Sequence, residues 1–333
     1  MINELKSICE LKENFDLKKY NTFKLECTTK YFIEPKNEEE LIKIIDILND
    51  NKSKYMIIGN ASNIILPPYY DGVIIKLTNL NSYRLEDNIV YCEAGCMLNK
   101  VANEITNKGY SGLDFAVGVP GTIGGAVYGN AGCYGSSISE VLISATIYNG
   151  KDIIELDNSE LDFKYRYSIL KEKKDWIVLS CKFKVEESNL EELKALVLER
   201  TNKRIASQDL SHPSNGSVFR NPEGYASGKL IDDLGLKGYK IGGAMVSYKH
   251  ANFIVNIGDE VKKGQKKLEE CEEPDNAILT YPNKVKPEDP CFGNPACIPY
   301  VQPNDPNIVP FEQYCKSNGN CNPDPDTDRK SVV

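Results

Sequence analysis

The 333 residues are 41% hydrophobic and 26% charged, ordinary proportions for a folded protein, and the length allows two or three domains. A net charge of −8 argues against a general nucleic-acid binder, which needs a basic surface to neutralise phosphates, and leaves room for a local nucleotide pocket. No run approaches the roughly 20 apolar residues of a membrane-spanning helix. The opening MINELKSICELKENF lacks the basic and apolar regions of a signal peptide, so a cytoplasmic chain without membrane insertion is expected. Composition leaves the oligomeric state open.

In chain order, YNTFKLECTTKYFIEP alternates polar and apolar residues and ends at Pro35, which predicts a half-buried strand. A helix follows, with Asn37 as its cap, Glu40 three residues on, and Leu41, Ile44, Ile45 and Leu48 on one face. Tyr55 to Ile58 reads as a buried strand that enters the small-residue loop Gly59-Asn60-Ala61-Ser62-Asn63, and Ile64-Ile65-Leu66 resumes as a second strand. From Val73 to Gly95 short strands turn at Glu86-Asp87-Asn88, and a helix follows with Leu98, Val101, Ala102 and Ile105 on one side, ended by Gly109.

The stretch GLDFAVGVPGTIGGAVYGNAGCYG holds eight glycines between Gly112 and Gly135, interleaved with enough apolar side chains to argue for order. Strands are expected around Ile143–Tyr148 and Trp176–Val185, then a charged helix from Leu190 to about Arg204, a short helix around Lys229–Leu234 and the strand-like HANFIVNI. From Pro274 onward lie 11 of the 17 prolines, and periodicity disappears.

The 11 cysteines divide in two sets. Cys9, Cys27, Cys92, Cys96, Cys133 and Cys181 are scattered through structured sequence, where a reduced thiol serves as a small hydrophobe. Cys271, Cys291, Cys297, Cys315 and Cys321 crowd the last 63 residues. Their wide spacing does not match the tight C-x2-4-C of zinc sites, so no metal is expected and the tail reads as disordered or appended sequence.

A small-residue loop after a buried strand can turn its backbone N–H groups toward a diphosphate. Two such loops, GNASN and VPGTIGGAVYGNAG, suggest a long ligand, although neither matches the Rossmann or Walker pattern. The order NTF, GNASN-IIL, GLDFAVGVPGTIGGAVYGNAGCYG, YRYS, PSNGSVFRNP and SGKLIDDLGLKGYKIGGAMVSYKHANFIVN resembles the UDP-N-acetylenolpyruvoylglucosamine reductase family over about residues 15–258. The run from YRYS through DWIVLSCKF resembles the family's shorter subtype.

The resemblance implies an α+β architecture: a two-subdomain FAD-binding fold resembling vanillyl-alcohol oxidase, plus a C-terminal substrate-binding domain. Subdomains are expected at 1–80 and 81–188, the substrate domain at 189–273 and a divergent tail at 274–333. It implies FAD as cofactor, NADPH as hydride donor and UDP-N-acetylglucosamine enolpyruvate as substrate. Matched residue by residue, Ser217 is the proton donor and Arg166 supports the substrate carboxylate. The third catalytic role, a glutamate, falls on Glu288 in VKPE, with Glu269, Glu270 and Glu272 as alternatives.

Gly59, Asn60, Ala61, Ser62, Asn63, Gly118, Pro120, Gly121, Gly124, Gly125 and Asn130 match the cofactor loops. Lys229, Tyr239 and Asn252 fall in the substrate block, and His250 reads as a structural hydrogen-bonder. Two other readings stay open: a flavin oxidase on the same cofactor fold, and a flavin- or nucleotide-binding protein that has lost catalysis.

Overall fold

The computed structural model describes residues 1–258. Its first compact unit takes in Met1–Asn21, Glu26–Ser62 and Leu66–Arg204. The chain opens with α1 (Ile2–Ile8) and β1 (Leu11–Asp16), followed by β2 (Thr28–Ile33), α2 (Glu38–Asp50), β3 (Tyr55–Ile58) and β4 (Tyr69–Lys76). These strands form a sheet ordered β1-β2-β4-β3, in which β4 runs parallel to both β2 and β3.

Strands that run the same way need a crossover, and α2 carries the chain from β2 to β3, which lie on either side of β4. The Asn37 side chain accepts the Glu40 N–H at 2.9 Å, and Glu38, Glu39 and Glu40 put negative charge at the positive end of the helix. Leu41, Ile44, Ile45 and Leu48 are fully buried in one core with Ile33, Val73 and Ile75. Each such side chain contributes on the order of 2 kcal/mol, so Ile44→Ala would cost about 2–5 kcal/mol once the cavity is included.

The chain continues with β5 (Tyr83–Glu86), β6 (Ile89–Glu93), α3 (Leu98–Asn107), β7 (Tyr110–Ser111), α4 (Ile123–Tyr128), β8 (Gly132–Cys133), β9 (Ser136–Ser137) and α5 (Ile138–Val141). Next come β10 (Leu142–Tyr148), β11 (Ile153–Asp157), β12 (Ile177–Lys184), β13 (Glu186–Glu187) and α6 (Leu190–Ser207). An antiparallel sheet is ordered β11-β10-β12-β6-β5. Asp87 and Asn88, at φ +49° and +61°, make the tight β5–β6 turn that the sequence signals. Val90, Cys92, Ile147, Leu179 and Phe183 of this sheet share a core with Leu98, Val101, Ala102 and Ile105 of α3 and with Ile123 and Val127 of α4.

The second unit holds Thr22–Leu25, Asn63–Ile65 and, among the described residues, 205–258. Its sheet, ordered β14-β17-β16-β15, uses β14 (Ser214–Ser217), β15 (Lys240–Ile241), β16 (Ala244–Val246) and β17 (Phe253–Asn256), and α7 (Ser227–Asp233) lies between β14 and β15 in the chain. Two distant pieces of sequence are stitched into it. Thr22 Oγ1 donates to Asn215 Oδ1 at 2.7 Å, Asn215 Nδ2 donates to the Ile64 carbonyl at 2.7 Å, and Asn256 Nδ2 donates to the Phe23 carbonyl at 2.9 Å.

Several expectations need correction. The strand expected from Tyr20 to Pro35 is only Thr28–Ile33, because Thr22–Leu25 joins the second unit. Ile64-Ile65-Leu66 is not a strand; pairing begins at Tyr69, after Pro67 and Pro68, which have no N–H to give a ladder. The N-terminal stretch contains α1 and β1, and Ile153–Asp157 is an unanticipated edge strand. The Gly-rich stretch holds α4 and a two-residue hairpin turn at Tyr134-Gly135, both with positive φ. Glu288, Glu269, Glu270, Glu272, the cysteines from Cys271 on and the tail from 274 lie outside the described residues.

Candidate active site

In the first unit the two Gly-rich loops are joined to each other. Asn60 Nδ2 donates to the Pro120 carbonyl at 2.8 Å. Gly59 meets Thr122 so closely that a Cβ on Gly59 would fall 2.2 Å from Thr122 Oγ1. Ala61 holds a left-handed turn at φ +45°. Among the described residues the amides of Asn60, Ser62 and Gly121 find no protein acceptor. A Cβ on Gly121 would come 3.6 Å from Ser62 Oγ, so the missing side chain keeps the space between the loops open. Small residues and N–H groups without a protein acceptor fit the diphosphate of a dinucleotide such as FAD.

The other glycines have distinct jobs. Gly124 donates its N–H to the Ala94 carbonyl at 2.8 Å, and a Cβ there would come 3.0 Å from Ala94 Cβ, so it lets α4 pack against the end of β6. Gly125 gives its N–H to the capping Thr122 Oγ1 at 3.4 Å. Gly118 lies under the Arg204 guanidinium, with a Cβ position 3.0 Å from Nη1. Asn63 is exposed and belongs to the second unit.

Asn130, buried at φ +43°, spends its side chain on protein groups: Oδ1 accepts the Ser139 N–H at 3.1 Å, and Nδ2 donates to the Lys164 carbonyl at 3.0 Å. That second bond anchors a two-residue turn, closed by the paired backbone bonds of Lys164 and Tyr167, with Tyr165 and Arg166 at its tip. Ser168, fully buried, secures the turn from behind by donating to the Tyr128 carbonyl at 2.7 Å.

Arg166 sits at φ +57°, a conformation costly for a side chain with a Cβ and typical of positions held for function. Its Nη2 donates to the Gly132 carbonyl at 2.7 Å and Nη1 to the Asn130 carbonyl at 3.5 Å, which fixes the plane of the guanidinium. Cys133, next to that carbonyl, reports the local field. Burial pushes its thiol up, while Arg204, Arg166 and Arg200 pull it down. Arg200 and Arg204 were missed from the sequence because they sit in a helix whose charges read as solvated. Arg200 is in fact paired with Asp114 and packed over the Tyr134 ring, 5.2 Å away.

In the second unit Ser217 ends β14, opposite Phe253, with an exposed hydroxyl that has no hydrogen-bond partner among the described residues. Asn252 has both ends of its amide on Phe219: Oδ1 accepts the N–H and Nδ2 donates to the carbonyl, each at 2.8 Å. Lys229 is exposed on α7 and paired with Asp233 one turn on. Tyr239 is half-buried in the connection into β15. His250 packs against Phe253 with the rings tilted at 40° and 4.5 Å between centroids, and it accepts the Asn252 N–H on Nδ1 at 3.2 Å; burial lowers its pKa and so favours the neutral ring.

The profile described as FAD binding domain matches residues 29–154, which hold β3 to β10 and the paired small-residue loops, so the class is that of an FAD-binding protein. A second profile, described as the C-terminal domain of UDP-N-acetylenolpyruvoylglucosamine reductase, matches residues 208–270. UDP-N-acetylenolpyruvoylglucosamine reductase of Caldicellulosiruptor saccharolyticus is 41% identical over 256 residues, 76% of this chain and 82% of that protein. That of Clostridium novyi is 40% identical over 252 residues, covering 75% and 81%. The crystal structure of the Thermus caldophilus reductase superposes with a TM-score of 0.66 at 30% identity, covering 76% of this chain and 90% of that one. The chain belongs to the UDP-N-acetylenolpyruvoylglucosamine reductase family.

Proposed function

We propose that the protein reduces UDP-N-acetylglucosamine enolpyruvate to UDP-N-acetylmuramate at the expense of NADPH, in the cytoplasm, as a step of peptidoglycan precursor synthesis. The Gly59–Ser62 and Gly118–Thr122 loops would hold FAD, which would supply the relay of hydride from NADPH to the enolpyruvyl group. The observation that carries the reading is Arg166, a guanidinium locked on a strained turn whose backbone is secured by Asn130 and Ser168.

The chemistry asked of the protein is modest. Once hydride has added to one alkene carbon, the electron pair left on its neighbour and the adjoining carboxylate needs positive charge and a proton. A planar guanidinium suits the carboxylate, and Arg166 is assigned that task. Ser217, with its free hydroxyl, is assigned delivery of the proton to the carbon, which completes the addition of one hydride and one proton across the double bond. Lys229 and Tyr239 are candidates for the nucleotide diphosphate, and Glu288 for the third catalytic group.

Stopped-flow absorbance tests the proposal. NADPH should bleach the bound flavin, and the enolpyruvyl nucleotide should restore its colour with conversion to the lactyl ether. Reoxidation by O₂ alone, together with no response to the enolpyruvyl nucleotide, would identify an oxidase instead. Binding of both ligands with background NADPH consumption would identify a protein without catalysis.

A further inference from the structure

Ser217 stands where its sheet gives it little support. From Ser214 to Ser217 three steps along β14 face two steps along β17, from Val255 to Phe253, and Gly216 inside this bulge takes φ +79°. A bulge removes ladder hydrogen bonds and bends the strand, so the direction of the next side chain must be set by other contacts.

Those contacts come from one residue. The Asn252 carbonyl accepts the Val218 N–H at 2.9 Å, while its side chain takes the Phe219 N–H and gives to the Phe219 carbonyl. Asn252 is only 4% exposed, so water cannot substitute for either bond. Turning the amide over would set oxygen against oxygen and N–H against N–H. Asn252 is itself fixed, by its N–H to His250 Nδ1 and by α7, where a Cβ on Gly228 would lie 3.6 Å from Asn252 Cβ.

We infer that Asn252 is the positioning residue of Ser217. It aims the hydroxyl through the two main-chain residues that follow, without touching substrate itself. The inference rests on the reading of Ser217 as proton donor. A donor works within about 2.6–3.2 Å of the atom it serves, so a displacement of an ångström is enough to slow the step by about 10²-fold.

The test compares Asn252→Ala, Ser217→Ala and the double variant on the holoenzyme, timing flavin reduction by NADPH and reoxidation by the enolpyruvyl nucleotide separately. Asn252→Ala should slow reoxidation by about 10–10²-fold and leave reduction unchanged. In the Ser217→Ala background it should add no further slowing, because a hydroxyl that is absent cannot be aimed. Hydrogen exchange on the resting protein, with no substrate added, should quicken at Val218 and Phe219 and not at Met245 of β16. Asn256→Ala, at the end of β17 remote from Asn252, removes the hydrogen bonds to the Phe23 carbonyl and from the Gly258 N–H and should leave reoxidation unchanged.

Slowing in the double variant equal to the product of the two single effects, or equal slowing of both half-reactions, overturns the inference. If Asn252→Ala does not fold, Asn252→Asp keeps the size and the acceptor for the Phe219 N–H but has no donor for its carbonyl, and wild-type reoxidation by that folded variant overturns it too. Normal turnover by Ser217→Ala removes the donor reading and the positioning role together. A slow Ser217→Ala beside a fast Asn252→Ala removes the positioning role alone.

Discussion

Asn60 donates its side-chain N–H to the carbonyl of Pro120 across 2.8 Å, and this bond joins two loops 60 positions apart in sequence. The spacing of those loops is therefore a property of the fold and not of either loop by itself. Gly59 and Gly121 test it differently. Gly59→Ala places a Cβ 2.2 Å from Thr122 Oγ1, so it must push the loops apart and should lower both Tm and bound flavin. Gly121→Ala meets only an ordinary 3.6 Å contact, so its Tm should stay near wild type while FAD affinity falls. Flavin-to-protein absorbance ratios after purification, set against thermal melts, separate the two; equal FAD retention by Gly121→Ala and wild type would discard the phosphate-cradle reading.

Arg166 pays for its position in backbone strain. Replacing it by Gly should leave a protein more stable than Arg166→Ala by about 1 kcal/mol, since only the glycine relaxes at φ +57°. Both variants should lose enolpyruvyl turnover by about 10²-fold or more. Arg166→Lys keeps the charge without the planar fork and should recover only part of the rate. Denaturant melts give the stability order, and steady-state kinetics give the rest. Full activity in the lysine variant would show that a point charge suffices.

Ser217→Ala separates a catalytic serine from a serine that merely ends a strand. Flavin reduction by NADPH should proceed normally, because that half-reaction uses no proton from the hydroxyl. Reoxidation by the enolpyruvyl nucleotide should fall by at least about 10²-fold, the lower range for general acid catalysis. Single-turnover traces decide; an unchanged reoxidation rate in the folded variant takes Ser217 out of the mechanism.

Two groups of the second unit tie its stability to pH in the same direction. Burial holds the His250 pKa below its unfolded value, so the unfolded chain binds the proton more readily. Stability from this group is present above about pH 6.5 and is lost as pH falls below it. For Asp209, burial acts upward, but hydrogen bonds from Ser211 and His212 outweigh it and hold the carboxyl below its usual value. Its contribution is lost only further down, as pH falls below about 4. Melting temperature against pH should therefore decline in two stages on acidification, and His250→Gln should remove the first stage and spare the second.

Much of this molecule was written locally. The Asn37 cap and the spacing of Leu41, Ile44, Ile45 and Leu48 set α2; Asp87-Asn88 set a hairpin; and several glycines from Gly112 to Gly135 marked where the chain turns or packs closely. Motif order singled out Arg166 and Ser217 as the candidates for carboxylate support and proton delivery. These features depend on neighbours a few residues away, so periodicity and turn chemistry expose them. The tertiary structure alone decided that Thr22–Leu25 and Asn63–Ile65 leave their sequence neighbours to join the unit that holds Ser217. Their bonds to Asn215 and Asn256 span 193, 151 and 233 residues, and no local pattern encodes a partner that far away. The amides of Asn130 and Asn252 belong to the same class: in sequence each could serve a ligand, and only folding, by burying them against Lys164, Ser139 and Phe219, committed their hydrogen bonds to the main chain.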